Sequence, residues 1–223
     1  MFMGLLRRFC LFLFLLPAWA LAQVVCIDPG HPSEVGRGTQ GKKLTELHAN
    51  WVQAQLLKQR LEKRGIKVIM TKPREQKLVR NQDRAGVANA ARADLMIRLH
   101  CDASSGTGFT VYAPNQQGTD RNFRGPSSKI IQESQTRAKR FHVAMAEALK
   151  GRLKDNGLHP DQHTAVGSRH GALVGSIYSR VPVILVEMVV LTNPKDEAYL
   201  LSGKGQSEMA DALEAGVMAA LGR

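Results

Sequence analysis

The sequence predicts a single α/β domain: a twisted, mostly parallel sheet flanked by helices, with its site at the carboxyl ends of the strands. Three observations carry this. Residues 181–191 (VPVILVEMVVL) are apolar and β-branched on both alternating faces, the pattern of a strand covered on two sides. Two more apolar runs, 24–31 (VVCIDPGH) and 94–100 (DLMIRLH), each end in a histidine. Segments of helical period separate the runs, as crossovers between parallel strands require.

Taken in order, the first 22 residues read as an export signal. Arg7-Arg8 give a basic start, FCLFLFLLPAW an apolar middle, and Ala20-Leu21-Ala22 a small-x-small cleavage site. The apolar stretch is too short to favour a membrane span, so none is expected after cleavage. Small residues do not precede Cys10, which argues against lipid attachment. The mature domain is then 23–223. Its first strand leads into a glycine-rich loop, 33–43, and a helix over 45–64. That helix has Leu47, Trp51, Ala54, Leu57 and Leu61 at helical spacing and Gly65 as its stop. Strand 66–71, an Ala-rich helix over 78–92 and strand 94–100 follow. Strand 109–113 leads to a polar loop over 114–128 and a long amphipathic helix over 130–153. Residues 156–180 read as irregular, the buried strand comes next, and a helix over 207–221 closes the chain. No repeat or linker divides it.

The charge is +12 from 31 Lys and Arg against 19 Asp and Glu, with Arg7 and Arg8 the only charges in the first 22 residues. Such a balance favours an anionic partner, such as wall polymer or acidic lipid. Nucleic acid is a poor fit: the chain reads as exported, aromatics are 5%, and no binding motif is visible. Only Cys26 and Cys101 follow the signal, which excludes a disulfide-built scaffold. They are expected as two separate buried thiols, with Cys101 facing away from His100 by strand alternation.

Glu187 lies inside the buried run. A carboxylate there costs several kcal/mol unless it is paired, protonated or near a metal, so chemistry is the stronger explanation for it. His31 and His100 lie at corresponding strand ends. Histidines and a carboxylate converging there are the material of a catalytic zinc site with an open position for water. A rival motif is discarded. Gly36 to Lys43 nearly matches a phosphate-cradling loop, but Lys43 replaces the magnesium-binding hydroxyl and the loop starts too far from its strand. It is better read as a flexible basic loop bordering the site.

Four stretches in order resemble the zinc-dependent N-acetylmuramoyl-L-alanine amidases of bacterial cell-wall remodelling, the type opening on Asp-Pro-Gly-His. They are residues 27–31, 44–75, 83–104 and 181–200, so the resemblance spans nearly all of the mature chain. It implies one zinc ion held by His31, Glu46 and His100, with Glu187 as the catalytic carboxylate. From local sequence alone, Glu46 reads equally well as a first-turn glutamate favoured by the helix dipole. The implied reaction is metal-assisted hydrolysis of the amide between N-acetylmuramic acid and L-alanine. Glu187 takes a proton from water and returns it to the leaving amine. The implied substrate is peptidoglycan; the signal ending Ala20-Leu21-Ala22 makes the expected setting an exported and more readily periplasmic one, and the enzyme is expected as a monomer with room for a protein activator.

Pro32-Ser33 stand where the family usually has glycines, Arg98 where it has a small or polar residue, and Cys101 where it has alanine. His48 and His142 need no function, and His163 and His170 are near enough to serve substrate or proton transfer without being assigned. Two rivals share the fold: a wall-binding relative without turnover, and a zinc peptidase acting within the stem peptide.

Overall fold

A computed structural model describes residues 22–223; the expected signal segment, except Ala22, lies outside them. The described chain is one α/β domain. Strand β1 (Val24–Pro29) leads to helix α1 (Glu46–Lys63), β2 (Lys67–Met70), α2 (Asn81–Ala90), β3 (Leu95–Asp102) and β4 (Phe109–Ala113). A short hairpin, β5 (Gly118–Asp120) and β6 (Phe123–Gly125), precedes α3 (Ser128–Ala148) and β7 (Asp155–Pro160). A 3-10 turn (Asp161–His163) and short helices α4 (Gly167–His170) and α5 (Val174–Ile177) lead to β8 (Val183–Val190), α6 (Pro194–Leu201) and α7 (Gly203–Leu221).

The six-stranded sheet has the order β2-β1-β3-β8-β4-β7. The first four strands are mutually parallel, while β4 runs against β8 and pairs in parallel with β7. One face is apolar throughout: Ile27, Ile97, Leu99, Val111, Ile184 and Val186 pack under α1, α3 and α7 through Leu57, Leu61, Phe141, Met145, Leu213 and Val217. On the other face Cys26, Met96 and Val183 meet Ala88 of α2 and Ala93 just beyond it. Further toward the carboxyl ends, that same face turns polar. Asp28 lies opposite Arg98, His100 opposite Glu187, and Glu187 opposite Thr110, so these side chains share one side of the pleat.

Two expected loops contain strands. Residues 114–128 hold the β5–β6 hairpin, whose turn places Arg121 at φ 53, a conformation the polar composition did not reveal. Residues 156–180, expected irregular, hold most of β7 and the short helices. As an edge strand, β7 needs only one partner and carries no continuous apolar run. Helix α2 starts at Asn81 rather than residue 78, because Leu78 is 56% exposed and the Val79 N–H donates to Pro32 O instead of waiting at a helix end. Helix α3 starts at the Ser127 cap and ends at Ala148, and α7 starts at the Ser202 cap, before the expected residue 207.

Buried polar groups hold β1 to its neighbours. Asp28, 0% exposed, accepts from Arg84 Nη1 at 2.6 Å, Arg98 Nε at 2.9 Å and Thr71 Oγ1 at 2.5 Å. Burial alone would raise its pKa, but the two guanidiniums hold it below the ordinary carboxylate range. Arg84 also donates to Pro29 O, Pro32 O and Val79 O. Arg84→Met strands those acceptors and half of the Asp28 pairing. Denaturant unfolding is expected to show a loss of about 3–5 kcal/mol; a loss below about 1 kcal/mol would mean that water replaces the guanidinium.

Candidate functional site

Three donors from three elements meet beyond β1 and β3. His31 follows the β1 end, Glu46 is the first residue of α1, and His100 lies near the end of β3. Their ligand atoms all lie within 4.8 Å of one another, a group able to hold a metal ion. Glu46 Oε1 sits 3.3 Å from His31 Nε2 and 2.9 Å from His100 Nδ1. It also accepts from the Cys101 N–H, while Oε2 accepts from the Thr39 N–H at 2.7 Å.

The loop after β1 shapes this cluster. His31 has φ 57, a left-handed conformation that is costly for a side-chain-bearing residue. All four carbonyls from 29 to 32 accept from side chains: Pro29 and Pro32 from Arg84, Gly30 from Asn50, and His31 from the Lys72 ammonium. At Gly30 a Cβ would strike the His100 ring. At Gly38 (φ 87) it would meet Glu46 Oε2, so the glycine-rich loop is a tight collar around the glutamate.

The donor set fits a cation. Because Gly36 O can only accept, the His31 Nδ1 that lies 3.1 Å from it carries the ring proton. Neutral His31 Nε2 is then a lone pair facing a carboxylate oxygen, an arrangement favourable only with a proton or metal cation between them. Such a carbonyl partner on the far nitrogen is how metal-ligating histidines are oriented. The charges respond accordingly. Burial lowers His31 basicity, but the Glu46 hydrogen bond and charge raise its pKa above the ordinary value; His100, more deeply desolvated, is lowered. Glu46, despite burial, is held below the carboxylate range by His100 and His31. His100 Nε2 is buried without a partner.

Glu187 stands beside His100 in register, with Oε2 buried and unpartnered. Desolvation, then the charges of Glu46 and Asp102, push its pKa well above the ordinary value, with Arg98 opposing. A cavity of about 460 Å³ opens over these groups, lined also by Ser33, Asn81, Arg98, Asp102, Tyr112 and His163. The arrangement brings a cation cradle and a strongly basic carboxylate to one hollow.

All four expected site residues are in this cavity. His163 lines it as well; His170 instead contacts Thr119 O, His142 pairs with Asp155, and His48 pairs with Glu75. Cys26 and Cys101 are free and buried, and Cys101 faces Asn50 of α1, away from His100. Tyr112, Asp102 and Asp161 were not anticipated. Tyr112 had a signal, sitting in the alternating strand 109–113 on the face of Glu187; the other two had none.

Asp161 anchors the segment that walls the cavity at residues 163–166. Its carbonyl accepts from Thr164, its Oδ2 accepts from the Leu173 N–H, and its Oδ1 is buried without a partner. Burial pushes its pKa up to about 6, against hydrogen bonds from Ser176 and Leu173. A carboxyl raised on folding favours the native state below its unfolded pKa and loses that contribution as pH rises through about 6. Asp161→Asn is therefore expected to gain about 2 kcal/mol on the native protein between about pH 4 and pH 8. Unfolding midpoints across that range check it, and parallel curves would refute it.

Residues 25–219 match the family model described as N-acetylmuramoyl-L-alanine amidase. An N-acetylmuramoyl-L-alanine amidase of Mycobacterium tuberculosis, Rv3717, is 27% identical, over 90% of this chain and 87% of its own. The crystal structure of an N-acetylmuramoyl-L-alanine amidase from Clostridium difficile 630 matches with a TM-score of 0.73 at 24% identity, covering 90% of this chain and 97% of that one. The CwlD amidase from Clostridioides difficile, in complex with the GerS lipoprotein, matches with a TM-score of 0.69 at 17% identity, covering 90% and 98%. These likenesses bear out the expected fold.

Proposed function

The chain belongs to the N-acetylmuramoyl-L-alanine amidase family, and from that premise we propose how this peptidoglycan hydrolase works: one zinc ion held by His31, Glu46 and His100, and Glu187 as general base. The reaction cleaves the amide between N-acetylmuramic acid and L-alanine of the stem peptide. The observation that carries the site reading is the facing of His31 Nε2, His100 Nδ1 and one Glu46 oxygen beside an unpartnered Glu187 Oε2. Two imidazoles and a carboxylate are the donor set of a catalytic zinc site.

When bound, zinc supplies Lewis acidity, making water a ready nucleophile near neutrality and polarising the carbonyl under attack. Glu187 takes the proton of the attacking water on Oε2, which is buried beside His100 without another partner. It then delivers that proton to the departing amine nitrogen of L-alanine. Glu46 stays ionised between two imidazoles and does not compete for the proton. The collar of residues 29–39 fixes His31 and Glu46 before substrate arrives, so little reorganisation accompanies the chemistry.

The enzyme acts outside the cytoplasm, more readily in a periplasm, after removal of residues 1–22; the basic balance of the chain suits an anionic envelope. No described helix is long and apolar enough to cross a membrane. One chain supplies every site residue, consistent with a monomer, and the reading leaves room for a protein activator.

Glu187→Gln is expected to keep one zinc per chain and lose at least about a hundredfold in turnover, while His31→Ala loses both. Metal analysis and mass spectrometry of digested muropeptides check this. Stem peptides beginning at L-alanine are the expected product. Fragments cut inside the stem would make the protein a peptidase, and full activity in Glu187→Gln would remove the residue from the mechanism.

A further inference from the structure

The site cavity does not end at Glu187. It continues past Tyr112 and Asp102 into a second hollow of about 320 Å³ over the β4–β7 edge, and Asp102, Tyr112 and His163 line both. Strand register sets this path. Tyr112 lies opposite Leu185 on β8 and His159 on β7, so its ring and that of His159 rise from the same face as Glu187. Three flat rings follow one another. Tyr112 and His159 have centroids 6.0 Å apart with planes inclined at 40°, and His159 and His163 are 5.8 Å apart at 44°. His159 is held in place by the Asn156 carbonyl, which accepts from Nε2 at 2.7 Å.

The remaining wall is neutral and rich in short polar groups, including Thr107, Thr110 and Asn156; Asp102 is its one carboxylate. Across β8 from Tyr112 in the sheet order, the site cavity carries Arg98 of β3 with Asn81. The two exits from Glu187 therefore differ in chemistry. One offers ring faces, hydroxyls and an amide beside a negative charge; the other is lined by Asn81 and by Arg98, whose buried guanidinium is already shared with Asp28 and Asn81.

The scissile amide also has two unlike sides. A chain of N-acetylated hexoses presents apolar ring faces rimmed with hydroxyls and acetamides, whereas a stem peptide carries free carboxylates. Flat side chains with apolar faces and polar edges suit the first, and Asp102 disfavours the second by like-charge repulsion. Resting on the amidase reading above, we infer that the Tyr112–His159–His163 hollow is a glycan subsite. It binds the N-acetylhexosamine chain on the acyl side of the scissile bond, while the peptide leaves on the side away from Asp102.

The first test uses a peptide-free probe, the tetramer of β-1,4-linked N-acetylglucosamine, titrated into the zinc-loaded mature protein and followed by amide resonances. Shifts are expected at residues 107–112 and 156–163, with binding weakened at least about tenfold in Tyr112→Ala and His159→Ala. His163→Ala, at an exposed position, gives the same direction with little chance of disturbing the fold. The second arm compares kcat/KM for uncut glycan chains with that for a single muramoyl-peptide. The ratio is expected to fall about tenfold in the His163→Ala variant, mainly through KM. Shifts clustered at Asn81 and Arg98, no binding of the tetramer, or an unchanged ratio would each overturn the subsite. Failure of the amidase reading looks different: the unaltered protein would then release no L-alanine-headed peptide from either substrate, whatever the tetramer does.

Discussion

The site depends on one buried carboxylate. Asp28 draws Arg84 and Arg98 into the sheet face with nearly complete exclusion of water, and Arg84 also donates to the carbonyls of Pro29, Pro32 and Val79. The loop that carries His31 is thereby fixed from beneath, with Lys72 holding the His31 carbonyl itself. An ion pair of this depth is weak evidence for stability, since desolvation offsets much of its attraction. Its effect is geometric. It keeps a histidine in a left-handed conformation that the isolated chain would avoid, aimed at Glu46.

Around that frame the two glutamates of the site are pushed in opposite directions by their surroundings. Glu46 is desolvated but surrounded by donors: two imidazoles and the N–H groups of Thr39 and Cys101. Glu187 is desolvated with no donor on Oε2 and with Glu46 and Asp102 as negative neighbours. One carboxylate is thus kept charged as a ligand and the other kept basic as a proton acceptor. Paired groups whose environments drive their pKa values apart are the usual mark of an acid–base site.

Much of this was legible in the sequence. Glu187 stood out because a carboxylate contradicts its apolar run, and His31 and His100 because each closes a strand. The first helix was recoverable from its period and its Gly65 stop. Glu46 gained its role only from the family resemblance, because a first-turn glutamate looks the same with or without a ligand. What stayed hidden has a common cause: it depends on partners distant in sequence. Asp28 and Arg84 are 56 residues apart, and Arg84 on its own looks like helix surface. Strand β7 has one pairing edge and no apolar run, so nothing local announced it. Asp161 is buried by the segment it anchors, a fact no window of residues contains.

The most direct test of the three-ligand cradle is a zinc-edge X-ray absorption spectrum of the loaded mature protein, taken beside Glu46→Ala. The account predicts a first shell of nitrogen and oxygen at about 2.0–2.1 Å, with the multiple-scattering signature of two imidazoles and no sulfur. Loss of one oxygen scatterer and weaker binding are expected in the variant. A sulfur shell at about 2.3 Å would mean that Cys101 turns toward the metal. A spectrum unchanged by Glu46→Ala would mean that the ion sits elsewhere, and either result would contradict the site described above.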